Sequence, residues 1–369
     1  MKDLILIFVV ASTFIYETHQ CTPSATTASG SSAPTTICSG QLIFEDNFDN
    51  LNTNTWKHEI TLGGGGNWEF QWYTNNRSNS IAENGILKLK PTLTSDFLGE
   101  AALTSETIDL GSSCTSAEFY GCKRTGSPDC ILNPIRSAKL LTMDSFAFKY
   151  GRVEVRAKLP AGDWLWPAIW MLPKHDVYGG WPRSGEIDIM ESRGNRDLTL
   201  NAVNIGVKQM GSTLHWGPDS GRNAYWRTHW EKNKNEFNEN FHTYEVLWTP
   251  DNLSFKVDGE TIGSVTPPQG GFWELGDFGS TGQENIWRSG SKLAPFDTEF
   301  YLILNLAVGG TNHYFPDNAS NPGGKPWSNN SPKAATDFWN GKNQWLHTWN
   351  LGHNEDSYLQ VDYVRVYAV

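Results

Sequence analysis

The run Gly185-Glu186-Ile187-Asp188-Ile189-Met190-Glu191-Ser192 sets the strictest condition on the fold. Acidic and apolar residues alternate at first, as in a strand with one buried face and one presented face. Glu186 and Asp188 then share a face, whereas Glu191, five positions after Glu186, falls on the other side of a regular strand. One extra residue accommodated as a β-bulge near Ile189-Met190 restores parity and gathers all three acids together. Interacting acids titrate apart, one ionised and one keeping its proton near neutral pH. That division suits glycoside hydrolysis, which needs a nucleophile or base and an acid. A solvated strand face explains these residues alone equally well; the surroundings decide. Asp163-Trp164-Leu165-Trp166-Pro167-Ala168-Ile169-Trp170-Met171 lies upstream and Leu214-His215-Trp216-Gly217 downstream. Flat rings beside acids suit a pyranose, which offers C–H groups to stack and hydroxyls to bond.

The rest of the chain reads as β-rich. Gly151 to Leu159 and Asn252 to Gly259 alternate with period two, and further strands are expected at 41–46, 67–74, 86–91, 166–172, 185–191, 211–216, 242–248, 299–308 and 358–368. Short helices are expected only at 229–240 and 334–340. Many short strands between turn residues predict an all-β sandwich. Residues 92–145, rich in Gly, Ser and Thr, read as a long loop insertion rather than a second domain. Residues 1–20 read as a secretory signal, with Lys2 followed by an apolar run. The Ser/Thr/Pro-rich stretch 21–40 reads as a linker, leaving 41–369 as one domain. No stretch reaches the roughly 20 apolar residues of a membrane span.

The five cysteines, at 21, 38, 114, 122 and 130, imply bridges in a secreted chain. Sequence proximity suggests Cys21–Cys38 and Cys114–Cys122, although any of the three middle cysteines serves as the odd one. Acceptor motifs for N-glycans occur at Asn76, Asn252, Asn318 and Asn329. A net charge of −11 disfavours nucleic acid and anionic membrane surfaces but is compatible with a neutral polysaccharide. Zinc and esterase chemistry lack their motifs: there is no His-Glu-x-x-His pair and no Gly-x-Ser-x-Gly elbow.

Trp164 to Gly194 resembles glycoside hydrolase family 16, and more narrowly its animal branch of endo-β-1,3-glucanases (laminarinases) and invertebrate β-1,3-glucan- and lipopolysaccharide-binding proteins. The resemblance covers roughly residues 41–369 and includes Leu42 to Phe48, Gly66 to Arg77, Tyr301 to Gly310 and Val361 to Tyr367. It implies a concanavalin-like β-jelly roll, two curved antiparallel sheets with an open concave glycan cleft. It assigns Glu186 as nucleophile, Glu191 as general acid/base and Asp188 as the group orienting Glu186. Strand rise alone leaves the two Glu Cα atoms about 13 Å apart after the bulge. Curvature and long side chains must bring the carboxyls to the ~5–5.5 Å of a retaining enzyme.

The resemblance also offers substrate contacts. Asn75 and Arg77 match hydroxyl-binding positions, His215 a polar neighbour of the acid/base, and Trp164 a cleft wall. Trp72, Tyr73, Trp166 and Trp170 divide between sugar platform and core, with Trp170 expected as buried support. No cofactor is required. A structural Ca²⁺ would draw on Glu45, the Gly85 backbone and Asp362. The activity implied is a secreted, monomeric, retaining endo-β-1,3-glucanase acting on laminarin-like glucans. The alternative is a non-catalytic pattern-recognition protein of innate immunity that binds β-1,3-glucan or lipopolysaccharide. Mixed-linkage cleavage is disfavoured, because the unbulged Glu-x-Asp-x-Glu spacing goes with those enzymes.

Overall fold

Period-two alternation resolves into two large antiparallel sheets that are not closed into a barrel. Gly151–Lys158 alternates buried and half-exposed residues along its whole length. Its inner residues meet inner residues of both neighbours, Val153 opposite Val246 of His242–Trp248 and opposite Val366 of Leu359–Tyr367. Paired apolar residues on one face and paired charges on the other fix the register, since a slip of one position would reverse both. This sheet has 8 strands.

The second sheet has 9 strands. Its order runs Thr27–Ser29, Ala147–Lys149, Phe300–Val308, Leu165–Pro173, Glu186–Ser192, Gln209–His215 and His229–Asn233, with Lys139–Leu141 and Lys57–His58 alongside. Phe300–Val308 is buried at every residue, so its sequence is nearly continuous in apolar residues. The core lies between the sheets. An aromatic chain crosses it: Phe44 stacks on Phe146 at 4.6 Å, Phe146 on Phe148 at 5.4 Å, and Phe148 meets Trp248 edge-on at 5.7 Å. Each such contact adds about 0.5–1.5 kcal/mol beyond the area it buries.

The computed structural model describes residues 21–234 and 236–369; the signal expected over 1–20 lies outside the described residues. Within them, no helix is long and apolar enough to cross a membrane. The 92–145 insertion contributes Leu103, Ile108 and Leu132 to the main core, so it is an elaboration of the same domain. Ala334–Asn340 is a helix.

Three expectations change. Residues 21–40 do not run free as a linker: Thr27–Ser29 pairs with Ala147–Lys149 at the edge of the second sheet. The same stretch clasps the chain end, the Ala25 amide donating to the Val369 carbonyl at 3.0 Å. Backbone pairing holds it, which is why no apolar period marks it. The 229–240 segment begins as strand His229–Asn233, with alternating exposure and Trp230 against Phe255. Asn329 is buried, its side chain donating to the Phe315 carbonyl, which leaves that motif closed to a glycan.

The disulfides are Cys21–Cys38 and Cys114–Cys122, with Cys130 free and exposed. Replacing Cys21 and Cys38 by serine releases a clasp that closes 17 residues. The expected outcome is faster amide exchange over 22–38 and a stability loss of up to about 3 kcal/mol in urea titration. Unchanged exchange there would show that strand pairing alone secures the segment.

Candidate active site

The carboxylates come to one face through the expected bulge. Across Leu165–Pro173, Ala168 pairs with Glu191, Ile169 with Met190 and Trp170 with Asp188, which leaves Ile189 as the extra residue. On the other side Glu186 pairs with His215 and Asp188 with Thr213, and the register shifts before Glu191 meets Gly211. Directly paired residues share a sheet face. Glu186, Asp188, Glu191 and His215 therefore all share the outer face of the second sheet, while Ile187 and Met190 enter the core. One donor atom from each of Glu186, Asp188 and His215 lies within 4.8 Å of the other two.

Each outer acid receives one indole N–H. Trp181 Nε1 donates to Glu186 at 2.7 Å and Trp166 Nε1 to Glu191 at 2.9 Å. His215 Nε2 lies 3.2 Å from the Asp188 carboxylate, while its Nδ1 faces Asn223 Nδ2 at 2.8 Å. Asp188 is 2% exposed. Burial first, then the charges of Glu186 and Glu191, hold its pKa well above the carboxylate range. Burial also raises Glu191, against the opposing pull of His215 and the Trp166 bond. For His215 burial works downward, but the Asp188 contact and the flanking glutamates outweigh it and lift the group to about 9. Asp188 and His215 thus form one coupled unit that gives up a proton reluctantly. A protonated Glu191 on the face that carries Glu186 is equipped to donate to a departing oxygen.

The aromatic candidates separate by depth. Trp166 is buried, stacked on Tyr314 at 3.9 Å and 7° between planes, so it positions Glu191 rather than offering a free platform. Trp170 is not the buried support expected: it stays partly open, bonded to Asn305 at 2.6 Å. Trp164 is not a cleft wall. It is 1% exposed, its φ is 69°, and it packs edge-on against Phe315 and Trp327. Tyr73 is buried, its hydroxyl accepting at 3.0 Å from Asn305, which shares the acid-bearing face through Ala168 and Glu191. Trp72 points the opposite way, toward Phe97 and Arg136 of the insertion, and does not join the site.

Asn75 and Arg77 are exposed and bonded to each other, with the Arg77 guanidinium 3.2 Å from His58 Nε2. Burial, then Arg77, lowers His58 to about 4, so it serves there as a neutral ring. Residues not anticipated are Trp181, Asn223, Tyr225 stacked on His215 at 5.4 Å, Tyr314 and Asn305. Trp181, five positions before Glu186, had a signal in its closeness; Tyr314 and Tyr225 arrive from distant loops and had none.

The calcium set does not fit as placed. Glu45 accepts from Arg365 at 2.8 Å and Asp362 pairs with Arg156, so both carboxylates are already neutralised by guanidinium groups. Gly85 lies in the turn between Ser80–Glu83 and Ile86–Leu89 with φ of 75°. A cation there would have to displace Arg365.

Comparison with known proteins agrees with this geometry. The family model described as glycosyl hydrolases family 16 matches residues 123–279. A β-1,3-glucan-binding protein of Penaeus monodon is 51% identical over 339 residues, covering 89% of this chain and 90% of the relative. The β-1,3-glucan-binding protein 1 of Galleria mellonella is 37% identical, covering 92% of this chain and 66% of that longer protein. Among solved structures, the laminarinase from Rhodothermus marinus aligns with a TM-score of 0.55 at 25% identity, covering 89% of this chain and 98% of its own.

The Trp166 bond favours the charged form of Glu191. Trp166→Phe keeps a ring against Tyr314 but removes the donor, so the Glu191 titration is expected to move to higher pH. Carboxyl NMR of the labelled protein reads this directly; a titration unchanged or moved downward would show that the bond does not govern the acid.

Proposed function

The chain belongs to glycoside hydrolase family 16, and we propose that it acts as a β-1,3-glucan-binding protein, holding the polysaccharide across its concave face. The observation that carries this reading is the 51% identity to a protein named for that binding, spread over nearly the whole of both chains. The site supplies compatible chemistry. Trp181 and Tyr225 present exposed rings beside Glu186 and His215, and such a mixture of flat apolar faces and fixed hydrogen-bonding groups suits a sugar chain. Two disulfides fit an oxidising, extracellular setting, consistent with secretion and a role in pattern recognition. A relative from Drosophila melanogaster is named Gram-negative bacteria-binding protein 1, at 34% identity and 65% of its length. Neutral glucan is preferred here over lipopolysaccharide, because a chain of net charge −11 is repelled by an anionic glycolipid.

Hydrolysis is the second reading, favoured by the bulge that keeps all three carboxylates on one face. In that reading Glu191 protonates the glycosidic oxygen while Glu186 attacks the anomeric carbon, giving a covalent glycosyl-enzyme. Water, deprotonated by Glu191, then displaces Glu186 and releases the sugar with retained configuration. Asp188 and His215 hold Glu186 in place between the two steps.

Calorimetry with laminarin, run beside reducing-sugar release, tests both readings. The parent and the Glu186→Gln and Glu191→Gln variants are expected to bind laminarin alike, because the amide keeps the shape and most hydrogen bonds. Absence of laminarin binding by the parent, or binding of lipopolysaccharide alone, overturns the glucan reading. Sugar release that falls about 10²–10⁴-fold in Glu191→Gln would put hydrolysis first.

A further inference from the structure

Three large aromatic side chains that make no bond to the carboxylates stand in solvent around one disulfide-closed loop. Trp68, Phe119 and Tyr120 are 47%, 43% and 74% exposed. All three have left-handed backbones, with φ of 52°, 53° and 61°. Bulky residues adopt that conformation at a cost on the order of 1–3 kcal/mol each, and it persists only where the surroundings enforce it. Here the enforcement is explicit. The Cys114–Cys122 disulfide closes the loop that carries Phe119 and Tyr120. Arg124 donates to the Phe119 carbonyl at 2.9 Å. The Leu62 amide donates to the Gly121 carbonyl at 2.8 Å, and the Thr61 hydroxyl to the Ser116 carbonyl at 2.9 Å. The Phe119 ring stands edge-on to Trp68, 5.9 Å between centroids.

The segment that carries Trp68 is bonded to the sheet that carries the acids. Trp68 begins the segment that ends in Gln71–Tyr73. Val308 donates to the Gln71 side chain at 2.8 Å, and Asn305 to the Tyr73 hydroxyl at 3.0 Å. Asn305 also bonds Trp170, which pairs with Asp188. Just beyond the end of Phe300–Val308, the Thr311 amide donates to the Asn67 carbonyl at 2.8 Å. Trp68 therefore stands on a segment bonded directly to Phe300–Val308 of the acid-bearing sheet, and with Phe119 packed against it this segment forms the rim of that sheet.

We propose that Trp68, Phe119 and Tyr120 form an outlying sugar subsite, reached only by glucan chains long enough to run from the carboxylates over this rim. The inference rests on the glucan-binding reading and adds a chain-length preference to it. Apolar rings held in solvent against a backbone cost have no use in the fold itself, since removing them uncovers no core. They do offer flat surfaces to the C–H faces of a neutral sugar. The same polysaccharide that occupies the cleft is the occupant, because the rim belongs to the sheet that carries the acids.

The test is calorimetry on the whole protein with a β-1,3-linked trisaccharide and with laminarin, comparing the parent with Tyr120→Ala, Phe119→Ala and Tyr120→Trp. The alanine variants are expected to lose about 3- to 10-fold in laminarin affinity and nothing toward the trisaccharide. Tyr120→Trp, which keeps a flat ring, is expected to retain laminarin affinity. Thermal melting of each variant confirms folding; Tyr120→Ala, changing the most exposed of the three, remains informative if Phe119→Ala does not fold. Laminarin affinity unchanged in Tyr120→Ala, or an equal loss for both ligands, overturns the subsite. A parent that binds neither ligand overturns the glucan reading itself, and the subsite with it.

Discussion

The site depends on a single inserted residue. Without Ile189 as a bulge, Glu191 would point into the core between the sheets, where Ile187 and Met190 already are. With it, the strand carries acids outward at 186, 188 and 191 and apolar side chains inward between them. The bulge also increases local twist, as bulges do, which favours the curvature a concave face requires. One irregularity thus supplies both the chemistry and its shape.

Gathering three acids on a partly buried face is unfavourable unless the charge is managed. Trp181 and Trp166 each supply an N–H to one glutamate, and His215 faces the deepest acid. Lys139 lies farther off, 5.0 Å from the Trp170 ring and bonded to Glu59. No arginine pairs with the triad among the described residues. Burial raises Asp188 and Glu191 together, and the charges of their neighbours add to it, while His215, itself lifted by these acids, supplies the one cationic partner at the site among the described residues. A bidentate arginine would have stabilised the charges and abolished the acid.

Much of this was legible in the sequence because it follows from parity. Period-two stretches such as Gly151–Lys158 state which side chains face inward, and the odd offset of Glu191 states that a bulge is required. Parity fails where the backbone departs from an extended conformation. Trp164, which the resemblance offered as a cleft wall, lies in a left-handed turn before the strand and is enclosed by Phe315 and Trp327. Trp72 and Tyr73 alternate correctly, but no local pattern says that one faces the sheet floor and the other the insertion. The 21–40 segment is held by backbone bonds and a disulfide, interactions that leave no hydrophobic period.

Depth sorts the tryptophans into three tasks that composition alone cannot separate. Trp56, Trp164, Trp248, Trp345 and Trp349 are fully enclosed and fill the core. Trp166 and Trp170 lie at the cleft floor, where each indole nitrogen meets a polar group. Trp68, Trp181 and Trp226 stand open. The open ones are not scattered: Trp181 lies against an acid and Trp68 against a disulfide-closed loop. A ring that contributes to burial needs no partner for its exposed edge, whereas a ring fixed in water contributes nothing until something flat covers it. The tryptophans are therefore divided between holding two sheets together and standing open at the surface, and the second group supplies the flat faces on which the proposed glucan binding draws.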